Sequence, residues 1–166
     1  MLQIIPASLE HIDEITSICA HHVLHGNGSF HITPLDKAAM AQKWALLHER
    51  QHPFLVGWDP ERQRVVGFCY ASDFRPKEAF QWTLEDSIYI HPEHQRQGVG
   101  KALLRALIED CQRLGFKQLV AVIGDAQNQG SIKLHTALGF EHCGTLKKVG
   151  HKHGTWLDLV LMQFAL

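Results

Sequence analysis

Apolar residues return at every third or fourth place through Ile12, Ile15, Ile18, Cys19 and Val23. That rhythm predicts a helix opened near Ser8 as its N-cap and broken by His25-Gly26-Asn27-Gly28-Ser29. Thr33-Pro34 has the form of an N-cap followed by a first-turn proline. A second helix is expected from there through Met40, Ala41, Trp44 and Leu47 to about Arg50. The rhythm then changes. Phe54-Leu55-Val56-Gly57-Trp58 and Val65-Val66-Gly67-Phe68-Cys69-Tyr70-Ala71, joined by Asp59-Pro60-Glu61-Arg62, read as an antiparallel hairpin. A mixed loop from Ser72 to Trp82 leads to a strand at Ser87-Ile88-Tyr89-Ile90. His91-Pro92 ends it, since proline has no N–H for a ladder. A third helix follows Gly98-Val99-Gly100, with Leu103, Leu104, Leu107, Ile108, Cys111 and Leu114 as its stripe and Gly115 as its terminal glycine. The unbroken run Leu119-Val120-Ala121-Val122-Ile123 suits a central strand buried on both faces. A short helix from Ser131 to Leu138, stopped by Gly139, and a last strand from about Trp156 to Phe164 complete the pattern; Gln3-Ile4-Ile5 would add a strand at the start. Hairpins early and a β-α-β unit late imply an α/β (α+β) fold, one domain over residues 1–166, with a mixed sheet and helices on both faces.

Composition narrows the function classes. The 166 residues suit one domain, and 45% hydrophobic content suffices for a packed core. Lys+Arg (16) and Asp+Glu (17) leave a formal charge of -1, and no basic stripe marks a nucleic-acid partner. No run approaches the roughly 18 apolar residues of a membrane helix, and the N-terminus lacks a signal-peptide pattern. A cytoplasmic protein, bound to neither membrane nor nucleic acid, is expected. Cys19, Cys69, Cys111 and Cys143 are far apart and read as free thiols. The 13 histidines include the groups His21-His22-His25, His91 with His94, and His151 with His153. None stands with Cys or carboxylate at a familiar zinc spacing, so no metal is expected.

The segment Ile88 to Lys101 is the most informative. A strand ends, a polar loop turns, and glycines open a helix. The first turn of a helix leaves N–H groups without partners, and with the helix dipole these bind phosphate. Gly98 and Gly100 would let an anion approach the backbone, and Arg96 and Lys101 would add charge. A plain strand-to-helix turn is the other reading. A P-loop is excluded by Gln95 and Ala102, and a dinucleotide fingerprint by Leu103.

Gln95-Arg96-Gln97-Gly98-Val99-Gly100 fits the Gln/Arg-x-x-Gly-x-Gly/Ala signature, and here the chain resembles the GNAT-superfamily acetyltransferases. More narrowly it is similar to the phosphinothricin/methionine sulfoximine acetyltransferase group. The segments Trp82 to Ile90, Val120 to Gly124, Asn128 to His135, Ala137 to Phe140 and Gly150 to Asp158 carry that likeness. The resemblance implies a single-domain, mostly antiparallel sheet that splays open beside the strand ending at Ile90. It implies acetyl-CoA as cosubstrate, with no metal. The pyrophosphate would lie on the N–H groups of Arg96, Gln97, Gly98, Val99, Gly100 and Lys101, with Gln95 also counted among the cofactor-binding residues. The pantetheine arm would lie along Ile88, Tyr89 and Ile90, with Asn128 and Ser131 near it. Relatives imply a homodimer.

The resemblance also implies chemistry. An amine attacks a thioester only when neutral, and a free α-amino group titrates near ~8, so a general base is needed. Glu85 takes that role by its matching position; its neighbour Asp86 should face the other way, so only one of the two is expected to reach the cleft. His135 stands where many members carry Tyr; it either protonates the leaving sulfur or is a helix histidine with a structural or cofactor contact. The N–H of Ile90 would hold the tetrahedral oxygen. The acceptor is a small-molecule amine with a carboxylate, gripped by Arg75, with Lys77 as rival, in a pocket lined by Phe30 and Phe74. Phe74 and Phe80 stand where the group often has Trp and Tyr, a change that bears on side-chain selectivity. His151-Lys152-His153 reads as a solvated basic turn or as a contact to substrate or a second subunit. Acetylation of a protein N-terminus or lysine, and a non-catalytic acyl-CoA sensor, are the alternative functions.

Overall fold

A computed structural model describes residues 1–166. The elements run β1 Gln3–Pro6, α1 Ile12–His25, α2 Lys37–Glu49, β2 Phe54–Asp59, β3 Arg64–Asp73, β4 Thr83–Ile90, α3 Val99–Arg113, β5 Gln118–Gly124, α4 Gln129–Ala137, β6 Glu141–Lys152 and β7 Thr155–Ala165. All seven strands form one sheet in the order β1-β2-β3-β4-β5-β7-β6. Every neighbouring pair is antiparallel except β4 and β5.

Strand alternation divides the core in two. On one face, Leu84 of β4 packs with Leu103, Leu104 and Leu107 of α3 and with Leu119 and Ala121 of β5; Ile88 and Ile90 join from the edge of this cluster. On the other face, Ile12, Ile15 and Ile18 of α1 and Met40 and Leu47 of α2 cover Phe68 and Tyr70 of β3, and Tyr89 of β4 packs here. Odd and even residues of β4 therefore look into different compartments.

Three sequence expectations change. The second helix begins at Lys37, because Asp36 rather than Thr33 caps it: the Asp36 carboxylate accepts from the Ala39 N–H at 2.8 Å. The first helix is preceded by a short 3-10 turn, Leu9–His11, and it is this turn that Ser8 caps. The tail holds two strands rather than one. β6 was hidden because it is an exposed, bulged edge strand with no apolar alternation, and its partner β7 supplies the buried residues Leu157, Val160 and Met162.

The parallel pair positions the site. β4 and β5 are in register only from Thr83↔Gln118 to Asp86↔Ala121. Past that point β4 continues to Ile90 and β5 to Gly124 without pairing, so the sheet parts between them.

Candidate active site

A cavity of about 940 Å³ fills that gap and opens to both faces of the sheet. Glu85, Ser87, Tyr89, Tyr70 and Lys43 border it from the α1/α2 side; Asp86, Ile88, Ile90, Leu134 and His135 border it from the α3/α4 side. The loop Gly26 to His31 closes one wall.

On the α3 side, the His91 N–H donates to the Val66 carbonyl at 2.9 Å. Odd residues of β4 thus bond to β3, and Ile88 and Ile90 turn their backbone groups toward the gap. The Ile90 carbonyl accepts from His22 Nε2 at 2.7 Å, a bond that fixes the ring's tautomer. Burial lowers the His22 pKa, the Ile90 carbonyl opposes this, and nearby His21 adds to the lowering.

The glycine turn behaves as two different positions. Gly98 is the N-cap of α3 at φ +83, makes no side-chain cap, and has open space where a side chain would stand. The first N–H groups of α3 are thus left to face a ligand. Gly100 serves packing instead: a methyl there would lie 3.3 Å from Leu134 Cδ2. Gln95, Arg96 and Lys101 line the cavity. Val99 is buried in the core and the Gln97 side chain donates to the Glu93 carbonyl, so these two offer only their backbone. The residues present fit an extended thioester cosubstrate with a diphosphate at the α3 end.

At α4, Asn128 is the N-cap, its Oδ1 accepting from the Ser131 N–H at 3.3 Å. His135 is 1% exposed. Its Nδ1 donates to the Ser131 carbonyl at 2.8 Å and its Nε2 donates to Asp86 Oδ2 at 2.9 Å, while Asp86 Oδ1 has no hydrogen-bond partner. Two acceptors on two ring nitrogens call for an imidazolium. Burial lowers the His135 pKa, but the bond and charge of Asp86 and the Ser131 carbonyl outweigh it, and the net shift is upward.

On the α1/α2 side, Glu85 is half-buried and its pKa is raised. Burial is the largest cause and the Asp86 charge adds to it; Arg75 and Lys43 oppose. Lys43 Nζ donates to Tyr70 Oη at 3.1 Å. Tyr89 stacks on Phe68 with ring centroids 5.0 Å apart, and burial pushes its hydroxyl pKa up. Phe30 lines the cavity and lies against the Gly150 backbone, where a methyl would be 2.6 Å from Phe30 Cε1.

Phe74 and Arg75 are not brought to this cavity. Phe74 lines a separate hollow of about 280 Å³ with Phe80, Val120 and Leu161. Arg75 is exposed and its guanidinium lies 5.2 Å from the Phe74 ring, on a tight turn in which the Lys77 N–H donates to the Arg75 carbonyl. Lys77 is exposed as well. Nor is Lys152 in a solvated turn. It is 2% exposed, its Nζ donates to the Ser29 carbonyl at 2.8 Å, and burial lowers its pKa. The bond ties the Gly26–His31 loop to β6. His91, Glu93 and His94 bring ligand atoms within 4.8 Å of one another, but the Arg64 guanidinium already lies 2.7 Å from His91 Nε2. Sequence reasoning missed Lys43, Tyr70 and His22. The places of His22 and Lys43 depend on how α1 and α2 pack on the sheet and that of Tyr70 on the pairing of β3 with β4, and no local pattern records either.

The family model described as "Acetyltransferase (GNAT) family" matches residues 17–140. The phosphinothricin N-acetyltransferase of Alcaligenes faecalis is 45% identical over 150 residues, covering 90% of this chain and 75% of that protein. The L-methionine sulfoximine/L-methionine sulfone acetyltransferase of Salmonella typhimurium is 37% identical over 152 residues, covering 92% of this chain and 87% of that protein. The crystal structure of a phosphinothricin acetyltransferase from Sinorhizobium meliloti in complex with AcCoA superposes with a TM-score of 0.96 at 42% identity, covering 99% of this chain and 88% of that one. With that sheet, that gap and these relatives, the chain belongs to the GNAT family of acetyltransferases, an acyltransferase that uses acetyl-CoA.

Proposed function

We propose that this enzyme acetylates the amine of a small amino-acid-like acceptor of the phosphinothricin or methionine sulfoximine type, by direct attack on the thioester. One observation carries the reading: a single cavity crosses the sheet where β4 and β5 part, with a half-buried carboxylate on one side and an uncapped helix N-terminus on the other.

The α3 turn from Gln95 to Lys101 takes the diphosphate on its N–H groups, helped by Arg96 and Lys101. The gap-facing backbone of Ile88 and Ile90, with Asn128 and Ser131 opposite, holds the extended arm. Tyr89 supports β4 from the other face. Glu85 accepts the ammonium proton, directly or through water, so that the nitrogen lone pair attacks the acetyl carbon. The Ile90 N–H stabilises the oxygen charge that develops. As the carbonyl re-forms the C–S bond breaks. The thiolate takes up the second proton, which the acetylated nitrogen sheds, and leaves as the thiol, while the first proton passes from Glu85 to solvent. For His135 the positioning role is favoured over the acid role, because both ring nitrogens already donate, to Asp86 and to Ser131. Phe30 walls the acceptor end. The resemblance also supports a homodimer acting in the cytoplasm; light scattering reads the first.

Purified protein with acetyl-CoA, followed by thiol release across amino acids, sulfoximines and peptides, tests the reading. Turnover of methionine sulfoximine or phosphinothricin supports it. Turnover of peptides alone supports protein acetylation instead, and tight cofactor binding with no turnover supports a sensor.

A further inference from the structure

The proposed acceptor bears a carboxylate, and Arg75, the residue expected to grip it, stands outside the cavity. Resting on the proposed function, we propose that Lys43 of α2 receives the acceptor's carboxylate and so selects amines that carry one on the adjacent carbon.

Lys43 lies on the cavity wall with Glu85, Tyr70 and His31, and it is half-buried. Its ammonium has three N–H donors. Among the side chains one donates to Tyr70 Oη at 3.1 Å, and the nitrogen sits 4.9 Å from the centre of that ring. Lys43 forms no ion pair with any carboxylate of the chain. A half-buried cation with free donors inside a cavity is a ready anion site, and the Tyr70 hydroxyl holds it in place before a ligand arrives.

The position also matches the acceptor's own geometry. In an α-amino acid the amine and the carboxylate share one carbon. The group that takes the carboxylate must therefore stand close to the group that takes the amine proton. Lys43 and Glu85 border the same half of the cavity; the charges of Arg75 and, less strongly, Lys43 both reach Glu85, but of the two only Lys43 lines the cavity. Buried Lys152 does not compete, since its ammonium is bonded to the Ser29 carbonyl and does not border the cavity.

The test uses L-methionine sulfoximine and its carboxamide, which keeps the amine and removes the carboxylate charge. Lys43→Met is expected to raise KM for the acid roughly ten- to hundredfold, the size of a lost charge-assisted hydrogen bond, with little change in kcat. KM for the amide should not rise with it, and Lys43→Arg should recover most of the loss. Lys43→Gln, which keeps a polar side chain, repeats the test if the Met variant fails to fold, and acetyl-CoA affinity by calorimetry reports folding. Equal KM rises on acid and amide overturn the assignment. So does a selective loss that appears in Arg75→Ala and not in the Lys43 variants. A Lys43 that only tuned Glu85 would shift the pH profile of both acceptors alike, which also overturns it. Wild-type enzyme that turns over neither acceptor removes the proposed function and this assignment together. Turnover of the acid that the Lys43 variants leave intact removes the assignment alone.

Discussion

Glu85 and Asp86 are adjacent carboxylates with different surroundings, because a strand sends neighbouring side chains to opposite faces. Asp86 meets the imidazolium of His135 on the α3/α4 side; Glu85 borders the cavity on the α1/α2 side with Lys43 on the same wall. A base must be ionised to work. The Glu85 pKa is raised, so its carboxylate forms only as pH climbs past the ordinary glutamate range, and activity should rise through that shifted window. We expect Glu85→Gln to lower turnover by roughly 10²–10⁴ at neutral pH and to remove this acid limb from the profile of kcat. An unchanged kcat at pH 7 would take Glu85 out of the mechanism. Strand parity, a local property, tells from sequence that the two carboxylates face opposite ways. Both border the cavity, where only one is expected to reach it, because the gap crosses the sheet. Phe74 and Arg75 could not be placed that way. They follow the end of β3 in an irregular stretch with a tight 75–77 turn, where no strand parity assigns a face.

The elements that shape the acceptor end are held by contacts far apart in the chain. The Gly26–His31 loop is fixed by the Lys152 ammonium on the Ser29 carbonyl, by Phe30 against Gly150, and by Asn27 against the end of β5, where a methyl on Gly124 would lie 2.5 Å from the Asn27 carbonyl. Gly150→Ala puts a methyl 2.6 Å from the Phe30 ring, with the rigid edge strand on one side and the ring on the other. The ring must move. We expect a stability loss of about 1–3 kcal/mol, the usual size of overpacking, and a higher KM for the acceptor with an unchanged acetyl-CoA Kd. Calorimetry and steady-state kinetics read the two separately; a change confined to acetyl-CoA would place the loop on the cofactor side instead. Helix stripes and the apolar run of β5 were legible because each carries its own period. β6 was not, since an edge strand buries little and leaves no alternation, and its last residue, Lys152, reads as surface until the loop above it is in place.

At the scale of the whole molecule, the sheet is a partition with one opening. β1 to β4 carry α1 and α2 on one face, while α3 packs on the opposite face, and the only parallel pair parts after Asp86 and Ala121. A cosubstrate laid along β4 from α3 and an amine entering beside Glu85 would meet in that opening from opposite sides, neither blocking the other. That arrangement favours a ternary complex, in which nitrogen attacks the acetyl carbon with no residue of the enzyme acylated in between. The side chains bordering the opening agree: Cys69 and Cys111 are buried in the core with raised pKa values, Cys143 is exposed elsewhere, and none of them lines the cavity. Initial rates measured over a grid of both substrates should therefore give intersecting reciprocal lines. Parallel lines, or a mass increase of one acetyl group on the protein incubated with acetyl-CoA alone, would show a ping-pong route through an acylated residue and overturn the ternary complex.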